Sequence, residues 1–216
     1  MGIDILYSDA HIAVCLKSPD VVSEADGMPS LLRERLGGEF FCVHRLDKPV
    51  GGVMVYARTR EAAGALSAAI AAGGMRKEYL AVVQGVPDEP KGRYRDLLYH
   101  DAARNKSYVV TRPRRSVKEA LLDYELLASA QAEGLRLSAL RITLHTGRSH
   151  QIRVQFASRG MPLVGDGRYG SALRGCSLAL WSDALAFPHP ADVREMRFSA
   201  PPPDRFPWTE FSLHNQ

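Results

Sequence analysis

Short apolar runs, each closed by turn residues, recur along this chain and constrain its fold more than any other feature. Ile5-Leu6-Tyr7 and Ile12 to Leu16 flank Ser8-Asp9-Ala10 and read as a hairpin. Phe40 to Val43 and Val53 to Ala57 flank a turn at Pro49-Val50-Gly51-Gly52. Lys77 to Val83, Ser107 to Val110, Ala120 to Leu127, Leu135 to Leu144 and Leu178 to Phe187 extend the series. Consecutive strands with short connections pair antiparallel, because parallel neighbours need a long crossover. Helical signals are fewer. Ser30 is placed to cap Leu31 to Leu36, and Thr59 to cap Glu61 to Ala72, with Gly-Gly stops after each. Ser149 is placed to cap a helix reaching about Arg159. The expected class is α+β with a mainly antiparallel sheet, as one domain over residues 1–216. No repeat, linker or domain boundary is visible, and the tail from Pro201 to Trp208 reads as extended along the surface.

Composition narrows the setting. At 216 residues the chain is long enough for one well-filled core. Cys15, Cys42 and Cys176 are odd in number and far apart, which argues for reduced thiols and against a disulfide framework or zinc knuckle. No apolar run approaches a membrane span, and the N-terminus lacks a basic region followed by an apolar one. The expectation is a cytoplasmic protein without a membrane partner.

Net charge is only +4, but its distribution is uneven. Residues 91–118 hold nine basic side chains against Asp96 and Asp101, a local +7, so the remainder carries −3. The chain has six lysines and 22 arginines. Arginine's planar fork suits bidentate contact with phosphate, which points to a polyanion such as RNA. A solvated charged hairpin is the competing explanation.

Chemistry concentrates in two stretches. In His44-Arg45-Leu46-Asp47-Lys48-Pro49-Val50-Gly51-Gly52, Arg45 and Asp47 lie two apart and share a face on extended backbone. Turn chemistry alone also accounts for Asp, Pro and Gly there. In His145-Thr146-Gly147-Arg148-Ser149-His150-Gln151-Ile152-Arg153, a strand ends, the chain bends and a helix begins. Tyr79 shares a strand face with Ala81 and Val83, and serves either as a core ring or as a flat surface for a base. An arginine beside a carboxylate keeps it ionised, as a nucleophilic or basic aspartate requires. These parts suggest a pocket for an extruded nucleotide, with one reactive carboxylate and no metal. His145, His150 and Asp166 do not match the spacing of HExxH. There is no GxSxG elbow, and Gly165 to Gly170 lacks the order GxxxxGK[ST].

The segments HRLDKPVGGVMVYART, RKEYLAVVQG, TGRSHQIRVQFASRGMPLVGDGRYG and LALWSDALAFPHP, in that order, together resemble the RluA-type pseudouridine synthases. The resemblance runs from about Ile5 to Pro203. It implies a largely antiparallel, mixed sheet flanked by helices, and an enzyme that isomerises a uridine in ribosomal or transfer RNA without a cofactor. The N1–C1′ bond breaks, the base turns, and C5 bonds to C1′. By the same resemblance Asp47 is the catalytic aspartate, either attacking C1′ or taking the C2′ proton. Tyr79 stacks on the target base, Arg153 pairs with the aspartate, and Arg45 enters the space of the flipped base. His44, Arg148 and His150 shape the pocket or meet phosphate. Arg104, Lys106, Arg112, Arg114 and Arg115 are expected to assist RNA capture. Where the family often carries NKPxG, this chain has Leu16-Lys17-Ser18-Pro19-Asp20, so that loop is altered. With 43 residues ahead of His44, no S4 RNA-binding domain is expected, nor an obligatory protein partner; a monomer is expected. A non-catalytic RNA-binding protein is the alternative, and a metal-dependent hydrolase fits the spacing less well.

Overall fold

The structure is a computed structural model and describes residues 3–211. The chain opens with the hairpin of β1 (Ile5–Ser8) and β2 (Ile12–Lys17), whose turn is closed by the Asp9 carboxylate accepting the His11 and Ile12 N–H groups. Helix α1 (Met28–Leu36) starts ahead of the expected Ser30 cap, because Pro29 suits the first turn of a helix. β3 (Phe41–Cys42) is shorter than its apolar run, and β4 (Gly51–Ala57) includes the two glycines. Helix α2 (Arg60–Ala71) is capped as expected by the Thr59 hydroxyl, which accepts the Ala62 N–H at 3.1 Å. There follow β5 (Arg76–Gln84), β6 (Lys91–Asp101), β7 (Lys106–Val110), β8 (Val117–Ala132) and β9 (Leu135–Leu144). Helix α3 (Gln151–Ala157), β10 (Leu180–Pro188) and β11 (Glu195–Ser199) complete the elements, with a short 3-10 turn at Trp208–Glu210.

Three differences from the sequence reading have physical causes. β6 was hidden because its first half carries charged outward positions (Lys91, Arg93, Arg95), and its apolar run is only the three residues Leu97-Leu98-Tyr99. Helix α3 has no side-chain cap from Ser149; His150 occupies the capping position in the left-handed region at φ 55°. The tail is only partly at the surface: Pro201, Asp204 and Arg205 are exposed, whereas Pro202, Pro207 and Trp208 are buried.

The chain falls into two compact units. One comprises residues up to Glu78 together with Trp181–Pro201; the other comprises Tyr79–Leu180 and the residues from Pro202 onward. The crossings at Glu78/Tyr79 and Leu180/Trp181 lie inside β5 and β10, not in linkers, which is why composition shows no boundary.

In the first unit the strand order is β1-β2-β4-β10, with β11 on β10 and β3 on β4. β10 runs parallel to β4, and the other pairs are antiparallel. β4 is buried along its whole length. Its core joins Ile12, Val14, Val53 and Val55 to Ala62 and Leu66 of α2 and to Leu185 and Phe187 of β10. The second unit has the order β5-β9-β8-β6-β7. β8 and β9 form a long hairpin whose turn residues, Glu133 and Gly134, both have positive φ, as a type I′ turn requires. Val154 of α3 packs on Leu98 and Ala120, and Phe156 sits edge-on to Tyr94 and Tyr124. The class is α+β with mainly antiparallel, mixed strands flanked by helices, as expected. Among the described residues no helix is long and apolar enough to cross a membrane.

Candidate active site

In the first unit the stretch from His44 to Gly52 is held by its main chain. The Asp47 carbonyl accepts the Val50 N–H at 2.9 Å, closing the turn around Pro49. On one side of Asp47, the Ser23 hydroxyl donates to the Leu46 carbonyl at 2.9 Å and accepts the Leu46 N–H at 3.0 Å. On the other side, the Lys48 carbonyl receives the Lys17 ammonium at 3.0 Å and the Asp20 N–H at 2.8 Å. The Lys17 side chain is fully buried and also donates to the Ser18 and Val21 carbonyls. Burial lowers its pKa to about 8, against the opposing pull of the Asp20 and Asp47 carboxylates. Asp47 itself is half-buried.

The glycines after the turn answer to packing. A Cβ on Gly52 would lie 2.3 Å from the Ser182 carbonyl oxygen, and its φ is 122°. A Cβ on Gly51 would lie 2.5 Å from the Trp181 ring. The backbone that passes close to this turn is therefore β10.

His44 is buried, and its Nε2 accepts the Val55 N–H at 3.2 Å. Burial, with Lys77 adding to it, lowers the His44 pKa to about 3, so the ring is neutral at neutral pH. Of the two roles open to it, this placement suits shaping the turn and not meeting a phosphate. Arg45 is exposed and pairs with Glu24 at 3.0 Å, where screening makes such pairs weak.

The second unit assembles the other stretch around Gln151 and Arg153. The Gln151 amide oxygen accepts from the Thr146 hydroxyl and the Arg148 N–H, and its amide nitrogen donates to the Leu121 carbonyl. This ties the bend to β8 and fixes the start of α3. Arg153 donates from Nε and Nη2 to the two oxygens of Asp166, at 2.7 and 2.9 Å, and both side chains are buried. Its guanidinium also lies 5.1 Å from the centre of the Tyr169 ring. The Tyr169 hydroxyl accepts the Ser107 N–H at 2.8 Å and lies 2.9 Å from His150 Nδ1. The buried His150 meets His100 edge-on. Tyr79, on β5, is buried. Arg148 donates to the Glu119 carbonyl.

The basic segment divides in two. Lys91, Arg93 and Arg95 pair across the strands with Glu125, Asp123 and Glu119. Their charge is largely neutralised. Arg104 lies 3.9 Å from Asp101, Lys106 stands over the Tyr169 ring, and Arg114 stacks 4.3 Å over Tyr99. Arg112 and Arg115 are exposed, and among the described residues they have no ion-pair partner. Arg168 clamps the β6–β7 turn through the Arg104 and Asn105 carbonyls. Positive charge available to a ligand thus sits toward the turn ends of these strands.

Asp166, Tyr169, Ser23 and Lys17 were missed as site residues. The sequence offers Asp166 only as a metal ligand with His145 and His150, but its carboxylate is engaged by Arg153 and His145 pairs with Asp123. Among the described residues no group of three or more His, Cys, Asp or Glu side chains is placed to hold a metal.

Comparison with known proteins gives a consistent result. A family model described as RNA pseudouridylate synthase matches residues 11–158, which include Asp47, Tyr79 and Arg153. The chain is 34% identical to ribosomal large subunit pseudouridine synthase D of Xanthomonas campestris, over 94% of its own length and 66% of that protein. It is 30% identical to dual-specificity RNA pseudouridine synthase RluA of Pasteurella multocida, over 93% of each chain. Among solved structures, human RNA pseudouridylate synthase domain containing 1 superposes with a TM-score of 0.82 at 25% identity, covering 94% of this chain and 84% of that one.

Proposed function

Starting from the fact that the chain belongs to the RNA pseudouridylate synthase family, we propose that it converts a uridine in ribosomal or transfer RNA to pseudouridine, with Asp47 as the reacting carboxylate. The observation that supports this most is the turn itself. A half-buried aspartate sits between two main-chain positions, Leu46 and Lys48, that side chains of the segment 17–23 hold in place.

A stacked uridine hides its glycosidic bond, so the target nucleotide must leave the stack, at a cost of a few kcal/mol that weakly paired loops reduce. Asp47 then either bonds to C1′ or removes the C2′ proton as the N1–C1′ bond breaks. The freed uracil takes the negative charge, turns, and bonds through C5 to C1′, as the Asp47–C1′ ester bond breaks on the first route or as Asp47 returns its proton to C2′ on the second. The C5 proton leaves and N1 gains one, so the sum is an isomerisation with no net oxidation or hydrolysis. Tyr79 offers its ring to the base and receives or relays the C5 proton. Arg153, whose charge is permanent, serves as counter-ion to the carboxylate. Arg45, exposed at the turn, fills the space of the extruded base, and Arg104, Lys106, Arg112, Arg114 and Arg115 hold phosphates. The protein acts as a cytoplasmic monomer without an obligatory protein partner.

The relatives' names include both ribosomal and transfer RNA, so the target is found by mapping. Pseudouridines in total cellular RNA are compared between cells with and without the gene. Loss of one or a few sites, restored by the wild-type protein, supports the reading. An unchanged map together with RNA binding by the purified protein supports the non-catalytic alternative.

A further inference from the structure

The segment from Lys17 to Glu24 meets the Asp47 turn residue by residue. Glu24 pairs with Arg45, Ser23 with Leu46, and Lys17 and Asp20 with Lys48. The bonds to Leu46 and Lys48 all end on main chain: the Leu46 carbonyl belongs to the peptide plane before Asp47, and the Lys48 carbonyl to the plane between Lys48 and Pro49. The Ser23 contact is the tightest constraint. Its one hydroxyl answers both the N–H and the C=O of the residue immediately before Asp47, and Ser23 and Leu46 are both buried. Ser23 is anchored in turn: its carbonyl accepts the Tyr56 hydroxyl at 2.7 Å, and Tyr56 is a fully buried residue of β4.

We propose that Ser23 is a positioning residue for the reaction, setting the main-chain direction from which the Asp47 side chain projects. The inference rests on Asp47 being the reacting carboxylate. Its physical ground is that a reacting group must be held close to its productive geometry, and a displacement near 1 Å can cost about 100-fold in rate. A hydroxyl that serves donor and acceptor of one residue fixes orientation as well as distance. Replacing it with a methyl group leaves two buried main-chain groups without partners, which the chain can relieve only by shifting the turn. The segment reads as irregular in sequence, with an altered loop at Leu16 to Asp20; its contacts show a brace.

The test is single-turnover isomerisation of an RNA substrate by wild type, Ser23→Ala, Ser23→Thr and Asp47→Asn, with RNA affinity and thermal unfolding measured on each. The expected result for Ser23→Ala is a fall in the chemical rate of about 10- to 100-fold, with RNA affinity within about twofold of wild type. Ser23→Thr, which keeps the hydroxyl, restores the rate to within about threefold. A Ser23→Ala protein that is folded and reacts at the wild-type rate overturns the inference. So does a rate lost only in proportion to the unfolded fraction, or to weakened RNA binding. If Ser23→Ala does not fold, Ser23→Cys carries the same readings, because a thiol fills the space but donates and accepts weakly. Activity in Asp47→Asn would instead remove the assignment of Asp47. An inactive Asp47→Asn beside an unaffected Ser23→Ala sinks only the role of Ser23.

Discussion

Arg153 and Asp166 face one another through two hydrogen bonds, 2.7 and 2.9 Å, with both side chains at least nine-tenths buried. The carboxylate fixes the plane of the guanidinium, and the Tyr169 ring beside it limits its other freedom. Removing one member of such a pair takes two charge-assisted hydrogen bonds from a buried charge. Asp166→Ala is therefore expected to lower stability by about 3–5 kcal/mol, read as a lower urea midpoint with an unchanged slope. Arg153→Lys keeps the charge but not the fork, and is expected to lose isomerisation while still binding RNA.

His44 should shape the acid limb of stability. Its folded pKa, about 3, lies below the ordinary histidine value of 6.5, so the unfolded chain binds a proton that the folded chain refuses. Stability is full above about pH 6.5 and falls as pH drops toward 3. Below about pH 4, Asp9 and Asp123 add losses of their own, because their lowered folded values lie near 2. Between pH 6.5 and about 5, His44 contributes a downward slope as pH falls. His44→Gln keeps an acceptor for the Val55 N–H and does not titrate, so its stability should fall less steeply than that of wild type across that interval in denaturant titrations.

Gly52 is constrained by backbone and by neighbour at once. Gly52→Ala would combine a φ of 122° with a Cβ 2.3 Å from the Ser182 carbonyl. A loss of at least about 3 kcal/mol is expected, seen as a drop in melting temperature. Gly147→Ala, where a Cβ meets nothing within 4 Å, is the control and should melt near wild type.

RNA affinity should discriminate between the two halves of the basic segment. Arg112→Ala and Arg115→Ala should each weaken binding and reduce the slope of log affinity against log salt by about one unit or slightly less. Arg93→Ala and Arg95→Ala should leave that slope unchanged, because their partners Asp123 and Glu119 already neutralise them. Filter binding across a salt series reads both.

Strands with an apolar face were legible in the sequence, and so was α2, because Thr59 and the glycine stop are local signals. β6 was not, since its first half alternates arginine with half-buried residues and its pairing partners on β8 lie far along the chain. The start of α3 is not legible, because His150 takes a left-handed conformation that its residue type does not announce. Asp47 and Arg153 stood out through the resemblance of their motifs. The residues that hold them did not. Ser23 and Lys17 act on main-chain groups about 20 to 30 residues away in sequence, and Asp166 finds Arg153 across a loop. No spacing rule encodes such long-range hydrogen bonds, so only coordinates reveal them.

The central claim is that one carboxylate, Asp47, performs the isomerisation. The most direct measurement is release of tritium from C5-labelled uridine in the mapped RNA by wild type and by Asp47→Asn, with RNA affinity measured in parallel. The account predicts no release above background by Asp47→Asn, with affinity within about threefold of wild type. Release by Asp47→Asn at a rate comparable to wild type would contradict it.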